Sequence, residues 1–134
     1  MSDDAYSDDV AVESAELGSA RLVVLRGDIN YSNAEETERR VASLAAGASA
    51  IVVDLSGVRY LDSSGLNLLL RQARGAAARD VGFVVVRAEE SLPLFRLEAV
   101  GRALRVVGSR AAAVAALRES GPPGGRSRDQ RIDR

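Results

Sequence analysis

A chain of 134 residues with 46% hydrophobic side chains and a formal net charge of −1 has room for one domain with a real core, and it carries no global field to draw nucleic acid or an anionic membrane. Cysteine and histidine are absent and all 18 basic residues are arginine, which excludes disulfides, thiolate metal sites, cysteine nucleophiles, histidine acid–base pairs and a phosphate-loop or Schiff-base lysine. No apolar run approaches the ~18 residues of a membrane span, and the opening Met1-Ser-Asp-Asp-Ala has neither the positive start nor the apolar segment of a secretory signal, so a cytoplasmic protein is expected.

Residues 1–9 are polar and acidic and predict a solvated tail. Val10 to Glu16 alternates as a short strand, and Arg21-Leu-Val-Val-Leu-Arg-Gly27 reads as a buried strand beside it. The tripeptide Arg26-Gly27-Asp28 at its end reads as a turn. From Asn33 to Ala46 the period becomes helical. Ala34, Thr37, Val41 and Leu44 form one stripe, with Glu35–Arg39 and Glu36–Arg40 as i,i+4 pairs on the outside. Ala50 to Leu55 predicts a strand uninterrupted by polar residues until Asp54, covered on at least one face. A short turn with Gly57 and a second apolar patch, Tyr60-Leu61, come next.

The following helix runs from about Ser63 to Arg79, with Leu66, Leu69, Leu70, Ala73 and Ala77 inside and Asn67, Arg71, Arg74 and Ala78 outside. Phe83 to Arg87 is another buried strand. Ser91 caps a short helix with Pro93 in its first turn, ending near Gly101. Ala103 to Val107 predicts a last strand, and Ser109 caps an alanine-rich helix to about Ser120. Residues 120–134, rich in glycine, proline and arginine, predict a second tail. The domain is therefore residues 10–119, a single α/β domain in the order ββαβαβαβα. Its last three strands are linked by helices, which calls for a mixed, mostly parallel sheet of about five strands with about four helices.

The chemistry concentrates in residues 51 to 66. Asp62, Ser63 and Ser64 fall where a strand hands over to a helix, so at least one of these side chains should cap exposed backbone N–H groups. A helix start also favours added negative charge, which makes a serine in the first turn a good place to carry a phosphate. On its own, Asp-Ser-Ser-Gly is also what an ordinary N-capped loop contains. Ser64 has neither a histidine nor a lysine base and no Gly-x-Ser-x-Gly elbow, which speaks against a serine hydrolase. Asp28, Asp54 and Asp62 have no ligand-like spacing, so neither a metal nor another cofactor is expected.

The segment Val53-Asp54-Leu55-Ser56-Gly57-Val58 leading to Leu61-Asp62-Ser63-Ser64-Gly65-Leu66 closely resembles the phosphorylation segment of the STAS-domain family, within it the bacterial anti-sigma-factor antagonists. Leu25-Arg-Gly-Asp-Ile-Asn30, Val81-Gly-Phe-Val-Val-Val and the Pro93…Leu97…Gly101 spacing support the resemblance, which covers about residues 10 to 119. It implies a non-enzymatic protein that binds an anti-sigma factor serine kinase and so frees a sigma factor. It implies that the kinase phosphorylates Ser64 and thereby loses its grip, and that a serine phosphatase resets the cycle. Asp62 and Ser63 flank the acceptor, Gly65 keeps the helix start accessible, and Asn30 and Asn67 join them in the implied partner-binding surface. Two departures matter. Family members usually place Asp where this chain has Asn30, and an apolar residue where it has Arg102. The alternative is a STAS scaffold or regulatory subunit of a transporter or of a multi-protein stress-sensing complex.

Overall fold

The computed structural model describes residues 10–87 and 98–120. Both tails, and the Ser91–Pro93 opening of the third helix, lie outside the described residues. The elements are β1 (Ala11–Leu17), β2 (Ala20–Ile29), α1 (Ala34–Ala45), β3 (Ala50–Leu61), α2 (Ser63–Ala78), β4 (Gly82–Val86), α3 (Glu98–Ala103), β5 (Arg105–Val107) and α4 (Arg110–Ser120). They build one five-stranded mixed sheet in the order β1-β2-β3-β4-β5. β1 pairs antiparallel with β2 and every other pair is parallel, as the expected ββαβαβαβα order requires.

Alternation along the central strands splits the apolar residues between two cores. Val23, Leu25, Val53, Leu55, Phe83 and Val85 face α1 and α2, with Val100 and Leu104 joining from the α3 region. Leu22, Val24, Val52, Val84 and Val86 face α4, chiefly through Ala113. Strands buried on both faces read as unbroken apolar runs, which is why β2, β3 and β4 were visible in the sequence.

The largest departure from expectation is the length of β2 and β3. Neither Arg26-Gly27-Asp28 nor Ser56-Gly57 is a turn; both stretches lie within strands, with Gly57 paired to Arg26 and Ser56 left in a bulge. From the pair Val24↔Asp54 to the pair Arg26↔Gly57, β2 advances two residues and β3 three, and from Gly27↔Val58 to Asp28↔Tyr60 β2 advances one and β3 two. Two bulges thus add two residues to β3. Its inward residues become Leu55, Val58 and Leu61, spaced by three, opposite Leu25 and Ile29 spaced as in a regular strand. A strand with period three does not look like a strand. Gly27 has φ +111 beside the second shift, a conformation costly for any residue with a Cβ.

Smaller corrections concern helix faces. α2 buries Leu66, Leu68, Leu69 and Ala76, whereas the expected inner residue Ala77 is exposed. α1 buries Ala45 in place of Leu44, which is only partly covered. Arg39 pairs with Glu35 at 3.7 Å and also contacts Glu36. The expected Glu36–Arg40 pair is not formed, because Arg40 Nη1 donates to the Val10 carbonyl at 2.8 Å. Ala103 ends α3, leaving β5 two residues shorter at its start than expected.

On the α4 face, Asp54 is almost fully buried. Its Oδ1 accepts from the Ser56 N–H at 2.8 Å and its Oδ2 from Arg110 Nε at 2.7 Å. Burial pushes this carboxyl up, but the Ser56 N–H and hydroxyl and the Arg110 guanidinium outweigh burial and hold it below the usual carboxylate range. Arg110 opens α4, and the Ser109 hydroxyl caps it by accepting from the Ala112 N–H at 3.0 Å. The pair is therefore a polar bolt between the sheet and α4, the helix that covers this face among the described residues. Arg110→Ala leaves a buried carboxylate short of one partner and should lower the unfolding free energy at neutral pH by ~1–2 kcal/mol, since the half-exposed guanidinium is partly screened. Because folding lowers the Asp54 pKa, the unfolded chain takes up this proton first as pH falls below about 4, and the pair's stabilisation is lost there. Urea titrations at neutral and acid pH should show a smaller acid loss in Arg110→Ala than in the wild type.

Candidate functional site

The chain leaves β3 at Leu61, and Asp62 is the N-cap of α2 with extended backbone, φ −95 and ψ −172. Its Oδ1 accepts from the Ser64 N–H at 2.8 Å and the Gly65 N–H at 3.2 Å. Its Oδ2 accepts from the Tyr31 N–H at 3.1 Å, and its own N–H donates to the Ile29 carbonyl at 3.1 Å. One residue therefore ties the helix start to the end of β2 and to the loop that leads into α1.

That loop is closed by asparagines. Asn30 Oδ1 accepts from the Ser32 N–H at 2.9 Å and from its hydroxyl at 2.6 Å. Asn33 Oδ1 accepts from the Asn30 N–H at 3.0 Å, while Asn33 Nδ2 donates to the Asp28 carbonyl at 2.9 Å. These local bonds are the ones Asn makes readily, and they close the turn between β2 and α1.

Of the expected site residues, Asn30, Asp62, Ser63, Ser64 and Asn67 gather at this end of the sheet. Ser63 and Asn67 are exposed, and Asn30, Asp62 and Ser64 are half-buried. Gly65 is the exception. It is buried, and a Cβ added there would come within 2.9 Å of both Ile29 Cγ2 and Leu61 Cγ. Its glycine lets the helix start approach the core rather than exposing it to a partner.

Ser64, Asn67 and Arg71 line one side of an open hollow of about 460 Å³, facing Tyr31, Glu35 and Glu38 across it. The Arg71–Glu38 pair spans the two helices: Arg71 Nη2 donates to Glu38 Oε1 at 2.7 Å, Nε is shared between both carboxylate oxygens, and Gln72 Nε2 adds a bond at 3.1 Å. The hydrogen bonds from Arg71 outweigh the opposing effect of burial and, with Gln72, hold the Glu38 carboxyl below the usual range. Sequence reasoning placed Arg71 only on an outer stripe and passed over Tyr31 and Glu38. Tyr31 did carry a signal, as a lone aromatic within the polar turn Asn30-Tyr31-Ser32-Asn33. Glu38 and Arg71 lie 33 residues apart and had none.

Among the described residues no group of three or more acidic side chains is placed to hold a metal ion, and no helix is long and apolar enough to cross a membrane. The fold and site are those of a single mixed α/β domain with a capped, serine-bearing helix start beside a closed loop. The family model described as Mlab, STAS domain matches residues 12–110, and the chain belongs to the STAS-domain family. No curated relative matches the sequence.

Among solved structures, the fold is similar to an anti-sigma factor antagonist from Mycobacterium paratuberculosis, at 24% identity over 83% of this chain and 96% of that one, with a TM-score of 0.68. It is also similar to the anti-sigma factor antagonist SpoIIAA in its unphosphorylated form, at 16% identity over 81% of this chain and 97% of that one, with a TM-score of 0.62. A third likeness is to the murine anion transporter Slc26a9, at 18% identity and a TM-score of 0.63; it covers 78% of this chain but 18% of the transporter.

The inward position of Gly65 is testable. Gly65→Ala gains ~1 kcal/mol of helix propensity but must displace the fully buried, β-branched Ile29, and overpacking of that kind costs ~1–3 kcal/mol. The clash should win. A lowered thermal midpoint is the expected reading, and a raised midpoint would return Gly65 to a purely conformational role.

Proposed function

We propose that this chain is an anti-sigma-factor antagonist: it docks through the start of α2 on an anti-sigma factor that is also a serine kinase, and so releases a sigma factor in the cytoplasm. Phosphorylation of Ser64 ends the docking, and a serine phosphatase restores it. The observation that carries this reading is the position of Ser64, in the first turn of α2 two residues after the Asp62 cap, between the small residues Ser63 and Gly65 and lining the hollow. The family model and the likeness to antagonist structures support the same reading.

Electrostatics supply the switch. The unmodified helix start is small and neutral apart from Asp62, whose charge is spent on three N–H groups. A phosphate adds about −1.5 to −2 charges beside it. A partner surface that is apolar or acidic opposite Ser64 then loses its fit, while the fold needs no rearrangement. The partner-facing set is Ser63, Ser64 and Asn67, with Asp62 and Asn30 holding the two backbone segments in place.

The likeness to part of an anion transporter supports a second reading, in which the domain is a scaffold in a larger assembly. The Asp62-Ser63-Ser64 segment, which resembles the phosphorylation segment of antagonists, favours the first.

Incubation with the cognate anti-sigma kinase and ATP should add one phosphate, and peptide mapping should find it on Ser64. A phosphate on Ser63, or on Ser127 of the tail, would remove the assignment. Ser64→Ala should keep the kinase bound, losing no more than ~1 kcal/mol of stability, whereas Ser64→Glu should weaken binding about tenfold or more. Equal affinities for two folded variants would place the helix start outside the interface.

The chain carries Asn30 where relatives usually carry Asp. Since Oδ1 is the atom that closes the turn on Ser32, an Asp would keep both bonds, and Asn30→Asp should change stability by less than ~0.5 kcal/mol. It should raise the single-turnover rate of Ser64 phosphorylation if an acid there helps the kinase orient the acceptor. An unchanged rate would make residue 30 a turn residue alone.

A further inference from the structure

Two large apolar side chains among the described residues stand out in solvent, Tyr31 at 82% exposure and Tyr60 at 54%. Apolar residues scattered singly over a surface need no explanation, but these two are not scattered. Tyr31 follows the last residue of β2 by two positions, and Tyr60 is the last but one of β3. The strands that carry them pair at Asp28↔Tyr60 and Ile29↔Leu61, so both residues sit at the end of the sheet from which α2 begins, Tyr31 lining the hollow and Tyr60 outside it.

The backbone beneath Tyr31 is fixed. Its N–H is held by Asp62 Oδ2, and Asn30 and Asn33 close the turn on either side. A tyrosine on a fixed backbone has two side-chain torsions left to order, so it offers a large contact area at low entropic cost. Tyr31 also lines the hollow that Ser64 and Asn67 line. A body that fills this hollow meets both Tyr31 and Ser64.

We propose that Tyr31 is the aromatic anchor of partner docking and determines its specificity: its ring enters an apolar pocket on the protein that covers the start of α2, with Tyr60 contributing at the flank. This rests on the reading of the α2 start as the docking surface. It adds the chemistry of the partner, which must offer a pocket of aromatic width next to a surface that tolerates a neutral serine and rejects a phosphate. Of the two acids that line the hollow, Glu38 is satisfied by Arg71 and Gln72, and Glu35 faces Arg39 at 3.7 Å, so neither calls for a cation on the partner. Burial of the ring is the source of grip, and Ser64 beside it is the point of release. Hot-spot residues of this kind are commonly tyrosines near the centre of a contact.

The test measures the affinity of the purified full chain for its anti-sigma factor kinase by calorimetry, for wild type, Ser64→Glu, Tyr31→Ala, Tyr31→Phe and Tyr60→Ala, each verified as folded by circular dichroism. Tyr31→Ala should weaken binding by about tenfold or more, and Tyr31→Phe should stay within about threefold of wild type, because the ring and not the hydroxyl is the anchor. Tyr60→Ala should lose less than Tyr31→Ala. If Ser64→Glu loses binding while Tyr31→Ala stays within threefold, the anchor is overturned and the docking surface survives. If Ser64→Glu and Tyr31→Ala both bind as the wild type does, the docking surface itself is overturned and the anchor with it. Should Tyr31→Ala not fold, Tyr31→Gln takes its place, under the same thresholds.

Discussion

The carboxylate of Asp62 holds together everything of functional interest at this end of the molecule. Its two oxygens serve three N–H groups on two different segments, and its own N–H reaches a third, the end of β2. Bonds to an ionised acceptor are stronger than neutral ones, and this one also sits where the α2 dipole favours negative charge. Without it the first turn of α2 and the Tyr31 turn would be two independent surface features. With it they are bonded to one carboxylate, and Ser64, Asn67 and Tyr31 line the same hollow.

Asp62 can do this only because β3 delivers it to the right place. The two bulges lengthen β3 by two residues relative to β2, so that Leu61 pairs with Ile29 and Asp62 falls opposite the Ile29 carbonyl. Extra residues at a bulge increase twist and redirect a strand, a common device beside functional sites. Gly65 completes the arrangement from below, since only a residue without a Cβ lets α2 settle against Ile29 and Leu61. On the opposite face the Asp54–Arg110 bolt fixes α4, leaving the α2 start free of that helix.

These features differ in how far the sequence exposes them, and the difference is physical. β2, β4 and the starts of α2 and α4 are governed by local rules, namely apolar runs and capping side chains, and all were legible. The bulged half of β3 was read as a turn because a period of three in Leu55, Val58 and Leu61 imitates neither strand nor helix over so short a stretch. The α2 face was misjudged at Leu68 and Ala77 because two flanking surfaces, not one stripe, cover that helix. A cap among Asp62, Ser63 and Ser64 is legible in the sequence, and Asp62 is the residue that makes it. The role of its second oxygen is not legible, since the bond to Tyr31 spans 31 residues of sequence, just as the Asp54–Arg110 bond spans 56. Gly65 looked like a surface residue for the same reason: its neighbours Ile29 and Leu61 become visible only once β2 and β3 are paired.

The same carboxylate decides how a phosphate on Ser64 would behave in the proposed switch. A bare helix start attracts an anion by ~0.3–1 kcal/mol when exposed. Here two of the N–H groups that would receive it, those of Ser64 and Gly65, already serve Asp62 Oδ1. A dianionic group close to Asp62 would meet repulsion comparable to or larger than the dipole's attraction, because two unit charges ~4–5 Å apart still interact by ~1 kcal/mol in water and by more beside a protein surface. The balance turns the phosphate outward, toward the hollow bounded by Tyr31 and Asn67, rather than back onto the helix. That is the volume an incoming partner would have to fill. In the proposed switch, a cap that both shapes the docking surface and denies the phosphate an inward resting place would make release a matter of charge and space, with the fold left as it was.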